Sequence, residues 1–440
     1  MKHLPIAERP GTRRWLAGPA LALLAAGSAG AQMGPAPAGQ EPPAPPLPAV
    51  VSVTPITGTA QTFNPVAAIA NLDAGDFVAG RSVVEVQGGL FLETFLGFLW
   101  TPSSGATVFS VPVQQHLNPN LQLPMEIADD GTVVGVNLFT DTLDVRPFQW
   151  TARAGFEFLP LPGADLNGNA VAVSSDGRVA GGSIDAGFAG TSRAAVWVDK
   201  SIALLGAPGQ HSLVHDLSAS GAVAVGEAGA DPAGAQATRW HLGVEVGLGP
   251  VQGATASAAR FSSRSGRSAI GTATVDGRDV LVRWDRTARP AVHLPPDGLS
   301  VAAIRAINPR ATAAVGALEE DGDQRPFLWR QGRGFEVLGE LGLESEYDLS
   351  EACDVSDDGR RVVGRLQASV IFEGDPPTTG FLWTPETGTR ALDDLLEASG
   401  QAPLGLFTAD AISGDGRRVL TTGVEQPSVN DTSAVLLELD

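Results

Sequence analysis

Apolar and polar positions along the chain follow a two-part phrase that recurs at a nearly fixed interval. The first part is an apolar strand, a turn and a second strand closing on glycine. Its copies are IANLDAGDFVAG, IADDGTVVG, VSSDGRVAGG, LSASGAVAVG, FSSRSGRSAIG, INPRATAAVG, VSDDGRRVVG and ISGDGRRVLTTG. The second part ends in tryptophan: GFLW, PFQW, AAVW, ATRW, LVRW, PFLW and GFLW, each followed by a turn and another short strand. Asp130-Gly131, Asp176-Gly177, Asp358-Gly359 and Asp415-Gly416 predict type I′ hairpin turns, which need positive φ. Each repeat therefore predicts two hairpins, or four antiparallel strands. Helical periodicity is confined to Ala391–Ser399.

Four strands repeated every ~45 to 55 residues is the β-propeller pattern. Eight first hairpins predict an all-β chain forming a single propeller of eight four-stranded blades. A seven-bladed ring would need one hairpin to be decorative. The last repeat has only three strands, with Leu436 in the tryptophan place. Its missing strand is supplied by Val51–Ile56, predicted to pair beside Thr432–Leu439 and close the ring, which removes open sheet edges. The remaining grid of Trp100, Trp150, Trp197, Trp240, Trp284, Trp329 and Trp383 predicts packing between blades.

The phrases "A-x-x-I/V-S-x-D-G-x-x-V-V-G" and "F-L-W-x-P-x-x-G" resemble those of the bacterial extracellular HAF-type repeat proteins over roughly Thr62 to Leu439. The His-Ala-Phe that names those repeats is absent here. Gly97-Phe98, Pro147-Phe148, Pro326-Phe327 and Gly380-Phe381 stand in its place. The resemblance implies export and binding, and it transfers no catalytic residue.

The N-terminus supports the export expectation. Lys2, Arg9, Arg13 and Arg14 precede an apolar run from Trp15 to Ala26, and Ala29-Gly30-Ala31 gives a cleavage site. Residues 1–31 are thus expected to be a signal peptide, 32–48 a Pro/Ala-rich linker and 49–440 the propeller. Arg13-Arg14 also permits twin-arginine export. A secreted or periplasmic protein follows, with no transmembrane segment. One cysteine, Cys353, leaves no intramolecular disulfide, so packing must hold the domain. The formal charge of -20 argues against nucleic acid as a partner.

Propeller geometry separates the connections onto two faces. Loops joining the second strand to the third, and the fourth to the next blade, carry most of the length variation. The longest cluster on blades seven, eight, one and two. Candidate ligand contacts there are Glu93, Phe95, Asp141, Asp144, Phe372, Glu373, Asp375, Asp393 and Asp394, flanked by Glu85, Phe91 and Glu397. Carboxylates beside aromatics suit sugars, cationic peptides or Ca²⁺; the bland alternative is a solvated rim. Aligning the innermost strands places Glu126, Asp216 and Asp354 at one equivalent site, with Asp410 one residue off. These channel carboxylates would raise one another's pKa or recruit a cation; the bland alternative is hydrogen bonding to the neighbouring blade.

Other signals are weaker. His211 and His215 have zinc-helix spacing but fall on a strand, where that spacing does not bring two ligands together. Asp165, Asn167 and Asn169 resemble the start of a calcium loop and read better as a turn. Cys353 aligns with Val171 and His215 as a structural thiol. The leading expectation is an exported, monomeric, non-catalytic binding propeller. Its ligand would be a glycan, peptide or protein on the long-loop face, with no cofactor required and Ca²⁺ permitted. The alternatives are a secreted or periplasmic enzyme acting on carbohydrate or another polymer, and a structural envelope component.

Overall fold

In this computed structural model the described residues are 46–440, apart from 57–63, 86–92, 110–119, 140–141, 164–165, 186–191, 287–288, 297, 340–348, 368–377 and 425–431. They form eight four-stranded antiparallel blades in a ring, as the repeat predicts. Blades 1 to 7 begin with innermost strands Asn64–Asn71, Asn120–Ile127, Asn167–Val173, His211–Leu217, Ala254–Ser262, Ser300–Ile307 and Glu351–Val355. Blade 8 begins with Leu406–Ile412 and takes its fourth strand from Val50–Pro55. That strand pairs with Thr432–Leu439 through Val53↔Leu437 and Thr54↔Leu436. The one helix among the described residues, Leu392–Ala398, buries Leu392, Leu395 and Leu396.

No single core fills the ring. Eight apolar clusters lie between consecutive blades, and each tryptophan inserts against the blade before its own. Trp240 of blade 4, for example, packs with Ala172, Ala194, Val196 and Leu205 of blade 3. All seven are almost fully buried, from 0% to 5% exposed. In blade 8 the tryptophan place belongs to Leu437, not Leu436. Ala180 faces Trp197 and Val133 faces Trp150, and the equivalent Val419 faces Leu437. Leu437 accordingly packs with Val363 and Leu382 of blade 7. A one-residue slip exchanges the two faces of a strand, which is why sequence alignment misses it.

The Asp-Gly turns also differ from expectation. Gly131, Gly177, Gly359 and Gly416 have positive φ, but the preceding aspartates do not, so these are not type I′ turns. Each is a four-residue turn; in blade 3 the Gly177 N–H donates to Ser174 O (2.8 Å). Side chains brace it, with Ser174 Oγ bonded to Asp176 and accepting from the Val179 N–H. Two-residue turns with two positive φ values occur instead at Asp199-Lys200, Leu242-Gly243, Asp276-Gly277 and Asp321-Gly322.

The innermost strand of every blade carries a bulge at one equivalent place: Ala67, Met125, Val171, His215, Arg260, Arg305, Cys353 and Asp410. A bulge leaves one residue out of the ladder and bends the strand. It also explains the glycine that closes the first hairpin in six of the blades. At Gly135, Gly182, Gly226, Gly271, Gly316 and Gly364 a Cβ would collide with the carbonyl oxygen two residues before the bulge. In blade 8 the same place holds Thr421, whose hydroxyl donates to the corresponding Thr408 carbonyl. Gly271→Ala is therefore expected to cost about 2 kcal/mol, the size of an overpacking error. Gly332→Ala, where a Cβ meets only open space, should cost about 1 kcal/mol from positive φ alone. Chemical denaturation of both variants checks the ordering; equal losses would show that the bulge is not the reason for the glycine.

Candidate functional site

The first-hairpin turns meet around the axis and are tied in a ring. The Asp129 N–H donates to Ser175 O (3.0 Å), Ser175 to Ala219 O (2.8 Å), Ala219 to Arg264 O (3.0 Å) and Arg264 to Pro309 O (2.9 Å). Proline has no N–H to continue the series. Asn308 Nδ2 takes over and donates to Asp357 O (2.9 Å). Asp357 N–H then donates to Gly414 O (2.9 Å), Gly414 N–H to Asp73 Oδ1 (2.6 Å), and Asn71 Nδ2 to Ile127 O (3.2 Å). Every interface between blades thus carries a hydrogen bond of this belt.

Just inside the belt lie the channel carboxylates, and the alignment that predicted them holds. Glu126, Asp216 and Asp354 occupy the residue after the bulge in blades 2, 4 and 7; Asp410 is the bulge residue of blade 8. The first three each tie their blade to the next. Glu126 accepts from Val173 N–H, Asp216 from Ser262 N–H (2.7 Å) and Asp354 from Ile412 N–H (2.9 Å). Asp410 instead accepts from its own blade's Thr408 and Thr422 hydroxyls. The bland alternative was therefore right about hydrogen bonding between blades.

The bonds do not make these groups ordinary carboxylates. Burial pushes Asp216 and Asp354 up to about 7, against the opposing pull of their backbone N–H donors. Glu126 is raised well above its usual range, first by burial and then by the nearby Asp216 charge. Asp410 is raised chiefly by burial too. Burial disfavours the ionised form and N–H donors favour it. Here burial wins, and it favours the protonated form of Glu126.

Two cavities open on this part of the channel. One, of about 300 Å³, is lined by Glu126, Asp216, Asp129, Arg264 and Arg305 together with the turn backbone. The other, of about 390 Å³, runs past Met125, Glu126, Asp354 and Asp357. Arg264 of blade 5 bonds Asp129 of blade 2 (2.6 Å), so this ion pair spans the channel mouth. Sequence reasoning missed both arginines, because their sequence phrases differ only slightly from those of other repeats.

The ladder also corrects the histidine reading. His211 and His215 do converge: their Nε2 atoms lie 3.2 and 3.4 Å from the two Glu227 oxygens. Positions two and four apart on a strand share a face, and Glu227 pairs with Leu213, midway between the two histidines. Burial raises Glu227, but the His215 bond and charge, His211 and Arg260 outweigh it and hold the group at about 2. Among the described residues, no group of three or more His, Cys, Asp or Glu is arranged to hold a metal ion. Asn167 and Asn169 belong to a strand rather than a turn; Asn169 Oδ1 accepts from Ser183 N–H (2.9 Å). Burial, followed by Glu351 and Asp410, pushes the Cys353 thiol up to about 12, so it stays protonated.

The expected long-loop site is described only in part. Phe91, Asp141, Phe372, Glu373 and Asp375 lie outside the described residues. Glu85, Glu93 and Phe95 belong to strands Phe77–Glu85 and Glu93–Thr101, with side chains outside the description. Asp144 offers its backbone carbonyl to Phe139 N–H (2.9 Å). Asp393 is occupied structurally: its two oxygens accept from Leu404 and Leu406 N–H, folding the connection into blade 8. Asp394 and Glu397 are exposed on the helix. The described members thus share no site, whereas the channel gathers charged groups from several blades.

No known protein family and no curated protein matches the chain. Solved structures do. A prolyl endopeptidase is 9% identical with a TM-score of 0.54, covering 75% of this chain and 50% of that one. Prolyl oligopeptidase B from Galerina marginata is 9% identical with a TM-score of 0.50, covering 82% and 55%. An oligogalacturonate lyase from Vibrio parahaemolyticus is 11% identical with a TM-score of 0.46, covering 88% and 93%. This chain thus spans about half the length of the two peptidases, and the likeness establishes the β-propeller fold. It also corrects the expectation of a non-catalytic binding module, since the propellers it resembles belong to enzymes. No helix among the described residues is long and apolar enough to cross a membrane.

Proposed function

We propose that this chain is an exported, HAF-type enzyme that cleaves a carbohydrate polymer, with its acid–base pair in the channel. The observation that carries this reading is Glu126 and Asp216 lining one cavity, with the first shifted toward its protonated form by burial and then by the second. Glycosidic bond cleavage uses two carboxyl groups, one donating a proton to the leaving oxygen and one acting on the opposite side. Glu126 is assigned the donor role. Its Oε2 is held by Val173 N–H, which fixes the side chain. Asp216, held by Leu217 and Ser262 N–H, is assigned the second role. The signal-like N-terminus supports export, and the enzymatic company of the fold supports catalysis.

The purified chain should release reducing ends from at least one polysaccharide in a broad panel. Glu126→Gln should lower that rate at least tenfold, the usual scale for losing a general acid. It should also remove the falling high-pH limb of the activity profile, because burial moves the Glu126 titration upward. A Glu126→Gln variant as active as the parent, or a parent without activity on any polysaccharide, would sink the reading.

A further inference from the structure

The channel chemistry is not uniformly acidic, although the chain carries a formal charge of -20. Arg260 and Arg305 are neighbouring bulge residues of blades 5 and 6, and Arg264 stands on the turn above Arg260. Carboxylates do not match them one for one. Glu351 is shared by Arg305 Nε (2.6 Å) and Arg365 Nη2 (2.7 Å). Glu227 faces Arg260 and two histidines. Within the cavity of about 300 Å³, the carboxyl groups are Glu126, Asp216 and Asp129, and the guanidinium groups are Arg264 and Arg305.

Both cavity arginines keep donors in reserve. A guanidinium has five N–H donors in a planar fork suited to a carboxylate. Arg264 uses Nη2 on Asp129, and Arg305 uses Nε on Glu351. Their side chains are 56% and 50% exposed, so the remaining donors are open to solvent. A ligand carboxylate arriving from the channel can take over from Asp129 without leaving either ion unpaired in a dry site. The cavity volume lies at the small end of ligand pockets, the scale of a sugar unit or two.

We infer that the polymer is an acidic polysaccharide, and that a uronate carboxylate docks on Arg305 and Arg264 beside Glu126. This inference rests on the channel being the site of polymer chemistry and names the substrate class for it. Arg305 is the better anchor, because it lines the cavity and uses only Nε on Glu351. Arg264 is the mobile partner, exchanging Asp129 for the ligand. Sulfate esters offer a guanidinium the same charge in a different shape, so the test separates the two.

Binding is measured by calorimetry with an alginate tetrasaccharide, its carboxyl-reduced counterpart and a sulfated neutral tetrasaccharide, using the full chain. The uronate form should bind at least tenfold tighter than the reduced form, and the advantage should shrink with added salt. Arg305→Gln should remove that advantage, while Arg305→Lys retains part of it. Arg264→Gln gives a second reading that leaves the Arg305–Glu351 pair untouched, and melting curves confirm folding of each variant. Equal affinity for charged and reduced sugars, no binding of either, or a stronger preference for the sulfated sugar would overturn the inference. So would an undiminished preference in both variants. Failure of the two readings is distinguishable: uronate binding without bond cleavage defeats the catalytic role alone, and cleavage of only neutral polymers defeats the substrate class alone.

Discussion

Asp354→Asn is expected to stabilise the protein by about 4 kcal/mol at pH 8 and by only about 1.4 kcal/mol at pH 5. Asp354 is raised from an ordinary carboxyl to about 7, first by burial and further by Asp73 and Asp357. Between the unfolded value near 4 and the folded value near 7, the folded state holds a proton that the unfolded state has released. Stability contributed by that proton is present at low pH and falls by about 1.4 kcal/mol per unit as pH rises through this window. Above it the folded chain carries a poorly solvated charge. Asparagine is neutral throughout and its Oδ1 still accepts from the Ile412 N–H, so the cost disappears only where the aspartate would ionise.

The acid limb belongs to other groups and does not confuse the comparison. Burial tends to raise Asp129, yet Asn71 and Arg264 outweigh it and lower the group; a hydrogen bond from Ser174 lowers Asp176, and one from Ser413 lowers Asp415. Stability from such lowered carboxylates is present above their unfolded values and is lost as pH falls through the folded ones, which places it below about 4. Urea denaturation of parent and variant at pH 5 and pH 8 isolates Asp354. A variant that tracks the parent at both values would mean that water or a cation already solvates the ionised group.

How far the sequence could be read depends on whether a property repeats or converges. The blades, the closing strand and the burial of the tryptophans repeat, and each leaves a periodic mark. The channel carboxylates were legible for the same reason: Glu126, Asp216 and Asp354 share one place in the phrase. The bulge was not, because its mark is the glycine across from it, and glycine has several possible causes. Only the ladder shows that Gly271 yields to the Ala258 carbonyl and that Thr421 solves the same problem with a hydroxyl. The two histidines meet Glu227 because it pairs across from Leu213, between them, and their i, i+4 spacing does not name a cross-strand partner. Arg264 and Asp129 are 135 residues apart, and no local pattern connects them. Leu436 and Leu437 are chemically identical, so only register could choose between them.

Deleting residues 1–56 is expected to cost about 5 kcal/mol and to drive association through the edge it exposes. The deleted strand inserts Val50 into the cluster between blades 7 and 8 and Ile56 into that between blades 8 and 1. Both are buried, 5% and 3% exposed, and fully burying each is worth about 2 kcal/mol. The strand is also fastened at both ends. Val50 N–H donates to Ser399 Oγ (2.8 Å), and Ile56 N–H donates to Ala434 O (2.8 Å). Without it, Thr432–Leu439 becomes an edge with open N–H and C=O groups beside Val435, Leu437 and Leu439, a ready template for another chain. Sedimentation should show dimers or larger species, and the melt should fall by roughly 6 °C. A peptide of residues 46–56 added in excess should restore both, because it binds only the folded ring. A truncated chain that stays monomeric and melts with the parent would show that the hydrogen-bonded turn belt closes the propeller without the strand.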